Sequence, residues 1–470
     1  MIRAACFFSF LFFFTVWVHA QANTAGEPGA IIDSLVNTSF KQNEPGVSIL
    51  VARKGNIVYQ QAFGSANLEL QVPMQPGMVF RIGSVTKQFT AIAILQLVEQ
   101  GKIALQDSIQ QYIPFPSKGH TITIENLLTH TSGIIDYANA DTSGNPYIER
   151  EDFSPQRIIP YFSYQPLEFE PGTAYHYSNS GYVLLAYLIE KVTGEDYHGY
   201  MQAHVINPAG LTNTFYAPEQ RVVPGRVQGY TRDRGFYENC EYQALSLGFG
   251  CGDLLSTTAD LFKWNSALLE HKLVSKAMLE KAFTPFKLKN GSFTHYGYGW
   301  FVDTLNGDIC IHHEGQVSGF IAIEKYFPQK DIYVSVLTNV RSGEDTTGFS
   351  SNRFRLFEKI ADVALGRRPD NEIALGSAVL DGYTGTYEPV STYKGKKPPT
   401  ITIYKENGNL YADLSNGTGK HMLLVAQTAT TFTLPDVQRI KTIFEFVKEN
   451  GKTVKLVATQ DKPLEFVKTK

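Results

Sequence analysis

Wound as a helix, the segment SVTKQFTAIAILQLV (Ser84 to Val98) is apolar on nearly every face, and such a helix belongs inside a protein. The chain must close around it, yet it carries Lys87 near its start. Ser84 and Lys87 stand at i and i+3, so they share a face with Cβ atoms about 5–6 Å apart. A serine hydroxyl becomes a nucleophile when a base takes its proton. Lysine can be that base where burial disfavours its ammonium. The start of a helix adds N–H groups and a positive dipole end, which lower a lysine pKa further and can receive an oxyanion. The alternative is a helix start in which Ser84 is the N-cap and Lys87 reaches past its neighbours to water.

The sequence around this helix reads as strands at two distant places. GVSILVARKG and NIVYQQAFG form a hairpin joined at Lys54–Gly55, after a helix candidate at Gly29 to Phe40. GYGWFVDTL, DICIHHEG, GFIAIEKYF and DIYVSVLTN follow from Gly297, and a helix over about Asn352 to Leu365 closes this part. Between them lies a helix- and loop-rich stretch in which Thr123 reads as an N-cap, Gly133 as a turn residue and Gly194 as a helix end. The expectation is an α/β (α+β) fold: one antiparallel sheet assembled from both ends, helices packed on it, a helical lobe between, and a site between the lobes.

Residues 366–376, GRRPDNEIALG, read as a linker. Residues 377–470 change character: ITIYKENGNLYADLS and FEFVKENGKTVKLVA each alternate across an Asn-Gly pair, which predicts hairpins in a small antiparallel β-barrel or sandwich. No catalytic grouping stands out there.

The beginning of the chain reads as an export signal over residues 1–20. Arg3 supplies the positive start, Ala4 to Val18 the apolar core, and VHA ends it at Ala20. An uncleaved anchor is the rival, but the core falls short of the roughly 20 residues that span a bilayer. A secreted or periplasmic protein without a stable membrane anchor is expected. The net charge of −3 gives no electrostatic reason to bind nucleic acid. Cys240, Cys251 and Cys310 remain after the leader and allow one bridge at most, Cys240–Cys251 being the closest pair in sequence. With no CxxC and no HExxH, and no i,i+4 partner for HHEG at His312 to Gly315, neither a metal nor another cofactor is expected.

Two further groupings belong beside Ser84 and Lys87. Tyr177-Ser178-Asn179 sits between the Pro171–Gly172 turn and a helix, and a tyrosine beside a cation can relay protons. His313-Glu314-Gly315 ends a strand before Gln316. Gly315 would admit a substrate backbone, and the Gln316 N–H could face an oxyanion. Each also has a plain reading, as a packing tyrosine and as an ordinary strand end. His130 reads as a structural hydrogen-bonder, and His176 and His312 as pocket shapers.

In order and spacing, SVTK, YSN and HEG resemble the three motifs of the serine β-lactamase and penicillin-binding superfamily. The chain is most similar to the class C-like branch, with its D-alanyl-D-alanine carboxypeptidases, D-aminopeptidases and esterases. LLTHTSGI, PAGLTNT, GDLLSTTADLFKW and SGF resemble further landmarks, across about residues 30 to 365. The resemblance implies a serine hydrolase domain over 29–365, and the C-terminal part resembles a lipocalin-like β domain. It also implies that Ser84 is acylated, Lys87 takes its proton and Tyr177 relays it. Asn179 would bind Lys87 and the substrate, and the N–H groups of Ser84 and Gln316 would form the oxyanion hole. His313 stands where many relatives carry lysine. A largely neutral histidine gives a substrate carboxylate less than a fixed cation does. That favours a peptidase or esterase acting on a small molecule or short peptide. The alternatives are a true β-lactamase and a non-catalytic penicillin-binding receptor or scaffold. An α/β-hydrolase is excluded because no G-x-S-x-G elbow occurs.

Overall fold

The structure, a computed structural model, describes residues 27–469 except 117–118, 140–147, 219, 234, 306, 343–348, 368–374, 393–396, 407, 417–421, 427, 435–441 and 460–462. The leader assigned to 1–20 lies outside the described residues, as does most of the linker assigned to 366–376.

The main sheet is built from both ends of the first part of the chain. Strands β1 (Val47–Arg53) and β2 (Asn56–Phe63) join β3 (Phe301–Leu305), β4 (Asp308–Val317), β5 (Phe320–Phe327) and β6 (Ile332–Thr338). The order is β2-β1-β6-β5-β4-β3, antiparallel throughout. Pairing from Val47↔Thr338 to Arg53↔Ile332 closes the long gap in sequence. Lys54 and Gly55 both have positive φ, 51° and 73°, as a tight hairpin whose twist matches its strands requires.

Strand β1 shows little polar alternation because both of its faces are covered. Val47, Ile49 and Val51 pack with helices α1 (Glu27–Asn37) and α5 (Phe349–Ala364) through Ile32, Val36, Phe357 and Ile360. Leu50 and Ala52 face the other layer, with α2 (Thr86–Glu99), α3 (Asn179–Thr193) and α4 (Thr258–Leu269). Helix α2 is enclosed there: Thr86 through Leu95 and Leu97 are all buried. Thr123 caps the short helix Ile124–Leu128 in a reciprocal box with Asn126, and Gly194 ends α3 at φ 76°.

Eight strands at the C-terminal end close into an antiparallel barrel, beginning with β7 (Gly385–Pro389) and ending with β14 (Pro463–Lys468). Tyr387↔Lys468 makes the closure. The second expected Asn-Gly hairpin joins Thr442–Glu449 to Lys452–Thr459, with Asn450 at φ 49° and Gly451 at 78°. The interior is filled by side chains: Phe446 lies 4.5 Å from Tyr383, 5.3 Å from Phe432 and 5.8 Å from Tyr387 between ring centroids. An eight-stranded barrel is just wide enough for such a packed core.

Candidate active site

The local geometry begins where strand Phe80–Arg81 pairs with Leu255–Ser256. The chain then tightens into a 3-10 turn, Gly83–Val85, and runs on into α2. Ser84 therefore lies inside the turn instead of serving as the N-cap of α2, a position held by Val85 without a side-chain bond. Strand β4 crosses this turn at close range. A Cβ on Gly315 would stand 1.9 Å from Ile82 O and 2.9 Å from Ser84 N; one on Gly83, at φ 51°, would stand 2.9 Å from Gln316 N. The missing side chain of Gly315 thus makes room for the serine turn, where sequence reading had assigned the space to a substrate. The crossing brings the amides of Ser84 and Gln316 to one place, at the start of a turn, where the first N–H groups lack acceptors of their own helix.

Lys87 is fully buried and meets three acceptors: Ser84 Oγ at 3.0 Å, Asn179 Oδ1 at 2.7 Å and the Cys251 carbonyl at 2.9 Å. They take up the three N–H donors of an ammonium, one each. Burial pushes its pKa down to about 8, against the opposing pull of Cys251, Asp136 and Asp253. Once neutral, the amine keeps two donors for Asn179 and the Cys251 carbonyl, and its lone pair is left for the Ser84 hydroxyl. That is the state a base for Ser84 needs.

Asn179, the first residue of α3, is fixed by its other end: Nδ2 donates to Asp136 Oδ2 at 2.9 Å, so Oδ1 must face Lys87. Asp136 is itself buried, which raises its carboxyl pKa, while Ala138 N–H and Lys87 pull it down. Tyr177 presents its ring to the lysine, with Nζ 4.7 Å from the centroid. His130, at φ 56°, packs on that ring at 4.2 Å. Its Nδ1 accepts from Ser178 N–H at 3.1 Å, and its carbonyl from His176 N–H at 3.0 Å. It holds the Tyr177–Asn179 turn in place.

His313 is 1% exposed. Its Nδ1 lies 2.6 Å from the Glu314 carbonyl, which can only accept, so Nδ1 carries a proton. Nε2 lies 3.0 Å from Tyr296 OH. The ring packs against Tyr177 and Phe301 at 6.2 and 5.0 Å. A cleft of about 270 Å3 is lined by Ser84, Asn179 and Gln316 together with Arg81, Tyr137 and Gln243 among others. The structure thus brings Ser84, Lys87, Tyr177, Asn179, Gly315 and Gln316 together. His313 lies in the aromatic wall beside them and, like Lys87, Tyr177 and Gly315, is not among the residues lining the cleft. His176 lies outside, paired with Glu168, and His312 pairs with Asp303 at 3.2 Å.

Sequence reading missed Asp136 and the Cys251 carbonyl. The first follows LLTHTSGI closely enough to have been a candidate; the second is backbone and leaves no signal in residue type. All three described cysteines are free, so Cys240 and Cys251 do not pair.

Among known proteins, the Beta-lactamase family model matches residues 29–350. The chain belongs to the beta-lactamase family. This beta-lactamase-family chain is 33% identical over 293 residues to the putative penicillin-binding protein PbpX of Bacillus subtilis (strain 168), covering 62% of this chain and 70% of that one. It is 28% identical over 382 residues to penicillin-binding protein 4* of the same organism, covering 76% and 82%. Among solved structures, the octameric penicillin-binding protein homologue from Pyrococcus abyssi superposes with TM-score 0.65 at 26% identity, covering 94% of this chain and 99% of that one. A D-amino acid amidase from Ochrobactrum anthropi SV3 shares the fold, with TM-score 0.63 at 23% identity, covering 72% and 97%. The protein is a serine hydrolase of the beta-lactamase fold, related to penicillin-binding proteins.

Proposed function

We propose that the protein is an exported serine hydrolase of the peptidase or esterase kind, working through an acyl-enzyme on Ser84. The observation that carries this reading is the enclosure of the Lys87 amine, 3.0 Å from Ser84 Oγ and removed from solvent. Neutral Lys87 takes the hydroxyl proton as Oγ bonds to the acyl carbon. The carbonyl oxygen becomes an oxyanion, received by the N–H groups of Ser84 and Gln316. As the bond to the leaving group breaks, the proton passes to that group by way of Tyr177. Water then repeats the sequence on the ester, and the acid leaves.

A histidine at position 313, unlike a lysine, offers no fixed cation to a carboxylate, which supports neutral esters or amides over penicillins as preferred substrates. The small cleft suits a small-molecule or short-peptide acyl group. The leader supports export to the periplasm or beyond the cell. Ser84→Ala, assayed on chromogenic esters, D-amino-acid amides and a cephalosporin, is expected to lose all turnover, with the wild-type enzyme favouring esters or amides. Unchanged turnover in the variant would remove the serine from the mechanism. The relatives' names supply a second reaction, acylation by penicillin; intact-protein mass after mixing is expected to show one adduct, absent from Ser84→Ala.

A further inference from the structure

The third acceptor on Lys87 comes from a loop, and that loop has anchors of its own. In residues 248–253, Cys251 N–H and Gly252 N–H donate to the Gly248 carbonyl at 2.8 and 2.7 Å. The Gly250 carbonyl accepts from Thr90 Oγ1 of α2 at 2.7 Å, and Leu254 N–H donates to Thr86 Oγ1 at 3.2 Å. Gly250, at φ 69°, lies so close to α3 that a Cβ there would stand 2.3 Å from Ala186 Cβ. At the end of the loop Asp253 is fully buried. Its Oδ2 accepts from Gly250 N–H at 3.2 Å and meets His198 Nε2 at 2.7 Å, and the His198 ring stacks on Tyr216 at 3.6 Å. The reaction proposed above gives Asp253 nothing to do. Yet a carboxylate is not kept in an interior without cost unless its charge is used.

We propose that Asp253 is a positioning residue: with His198 it holds the 248–253 loop so that the Cys251 carbonyl stays on Lys87. The proposal rests on Lys87 being the base for Ser84. Ser84, Asn179 and the Cys251 carbonyl bond to Lys87, the rings of Tyr177 and Tyr182 lie 4.7 and 5.6 Å from it, and Asp136 and Asp253 act on it through their charge. Asp253 meets His198 directly, and its charge also acts on Tyr197, Tyr137, Cys251 and Lys87. Asp136 and Asp253 are the two carboxylates among the groups that favour the protonated amine, and Asp136 already serves Asn179.

The test follows the rate at which a fluorophosphonate serine probe labels the full chain as a function of pH, read by intact mass. Asp253→Asn keeps an oxygen for Gly250 N–H and removes the charge. The acid limb of the profile is expected to move to lower pH by roughly half a unit, less than the 1–3 units of a directly paired charge. An unmoved limb, or one moved upward, overturns the proposal. Thr90→Val releases the other side of the loop without changing charge, and it does not depend on the first variant folding. Its labelling rate is expected to fall roughly three- to tenfold, the size of one hydrogen bond, with the limb in place. An unchanged rate overturns the loop's role. Labelling that persists in Ser84→Ala overturns the reading of the site, and the proposal with it, whereas Ser84-specific labelling with an unmoved Asp253→Asn limb overturns the proposal alone.

Discussion

Inside the barrel, Tyr383, Tyr387, Phe432 and Phe446 meet ring to ring, and the polar side chains buried outright among its described residues, tyrosines aside, are Thr433, Thr442 and Thr453. Around α2 the buried set includes Lys87, Asp136, Asp253, His313 and Glu324. Both interiors are enclosed, but among the described residues only the one around α2 buries an amine, carboxyls and an imidazole. A buried charge is costly unless paired and hydrogen-bonded, so its persistence points to use more directly than any apolar contact does. The residues lining the cleft all lie between Arg81 and Val317, none in the barrel. The contrast predicts that the two regions fail differently when altered.

The largest effect is expected from Lys87→Met. Loss of a positioned general base lowers kcat/KM about 10^2–10^4-fold. Stability should change far less. Lys87 titrates at about 8 in the folded protein against 10.5 ordinarily, so between those values the unfolded chain binds more protons and wild-type stability rises with pH. Below pH 8 the whole penalty stands, about 3 kcal/mol. Methionine removes it but leaves Asn179 Oδ1 and the Cys251 carbonyl without their donor, which costs about 1–3 kcal/mol for each. The two effects oppose each other and are of similar size. Urea denaturation at pH 7 is expected to agree with wild type within about 3 kcal/mol, and a collapse of stability would show that the lysine holds the fold together.

The converse change is Phe446→Ala in the barrel. Its ring touches three other aromatics, so the cavity costs about 3–5 kcal/mol. Ester hydrolysis at 25 °C should stay within twofold or so of wild type wherever the barrel remains folded, because one hydrogen bond's worth of disturbance at the site already exceeds that. A large fall in kcat, with circular dichroism unchanged, would mean that the barrel reaches the site.

How much of this was legible beforehand depends on which atoms carry the information. Ser84 and Lys87 were readable because a cation in an all-apolar helix breaks the pattern of its surroundings. The sheet was readable from β-branched runs at two distant places, and the barrel hairpin from Asn450-Gly451, whose positive φ angles few other pairs adopt. The Cys251 carbonyl was not, since any residue can offer one. Gly315 was noticed for a close backbone approach, but sequence did not show that the turn carrying Ser84 is one backbone that makes it. His313 was placed beside the right neighbours, but its orientation is set by Tyr296, 17 positions away, through a hydrogen bond that leaves no trace in spacing.

Glu324 tests whether every buried charge around α2 is catalytic. It accepts from Gln88 and from Tyr333 OH, and Gln88 in turn accepts from Trp264 Nε1 at 2.9 Å. Burial raises its pKa from 4.5 to about 7. A folded pKa above the unfolded one means that stability falls as pH rises from 4.5 to 7 and is flat beyond. Glu324→Gln should remove about 1–3 kcal/mol of that slope, measured by denaturation at pH 5 and pH 8. Because Gln88 neighbours Lys87 on α2, a matching change in kcat would move Glu324 into the functional set; an unchanged kcat leaves it a structural carboxyl.

The smallest effect belongs to the barrel's turn. Gly451 sits at φ 78° with nothing within 4 Å of where a Cβ would be, so Gly451→Ala introduces backbone strain and no clash. The left-handed conformation costs an L-residue about 1–2 kcal/mol, and thermal unfolding should register that amount while ester turnover stays the same. A cost near zero would mean that the hairpin relaxes into another turn and that Thr442–Glu449 and Lys452–Thr459 are held in register by their cross-strand pairs alone. A cost well above 2 kcal/mol would mean that closure of the barrel depends on this one reversal. In that case the barrel, like the site, would concentrate its constraints at a single point instead of spreading them through its core.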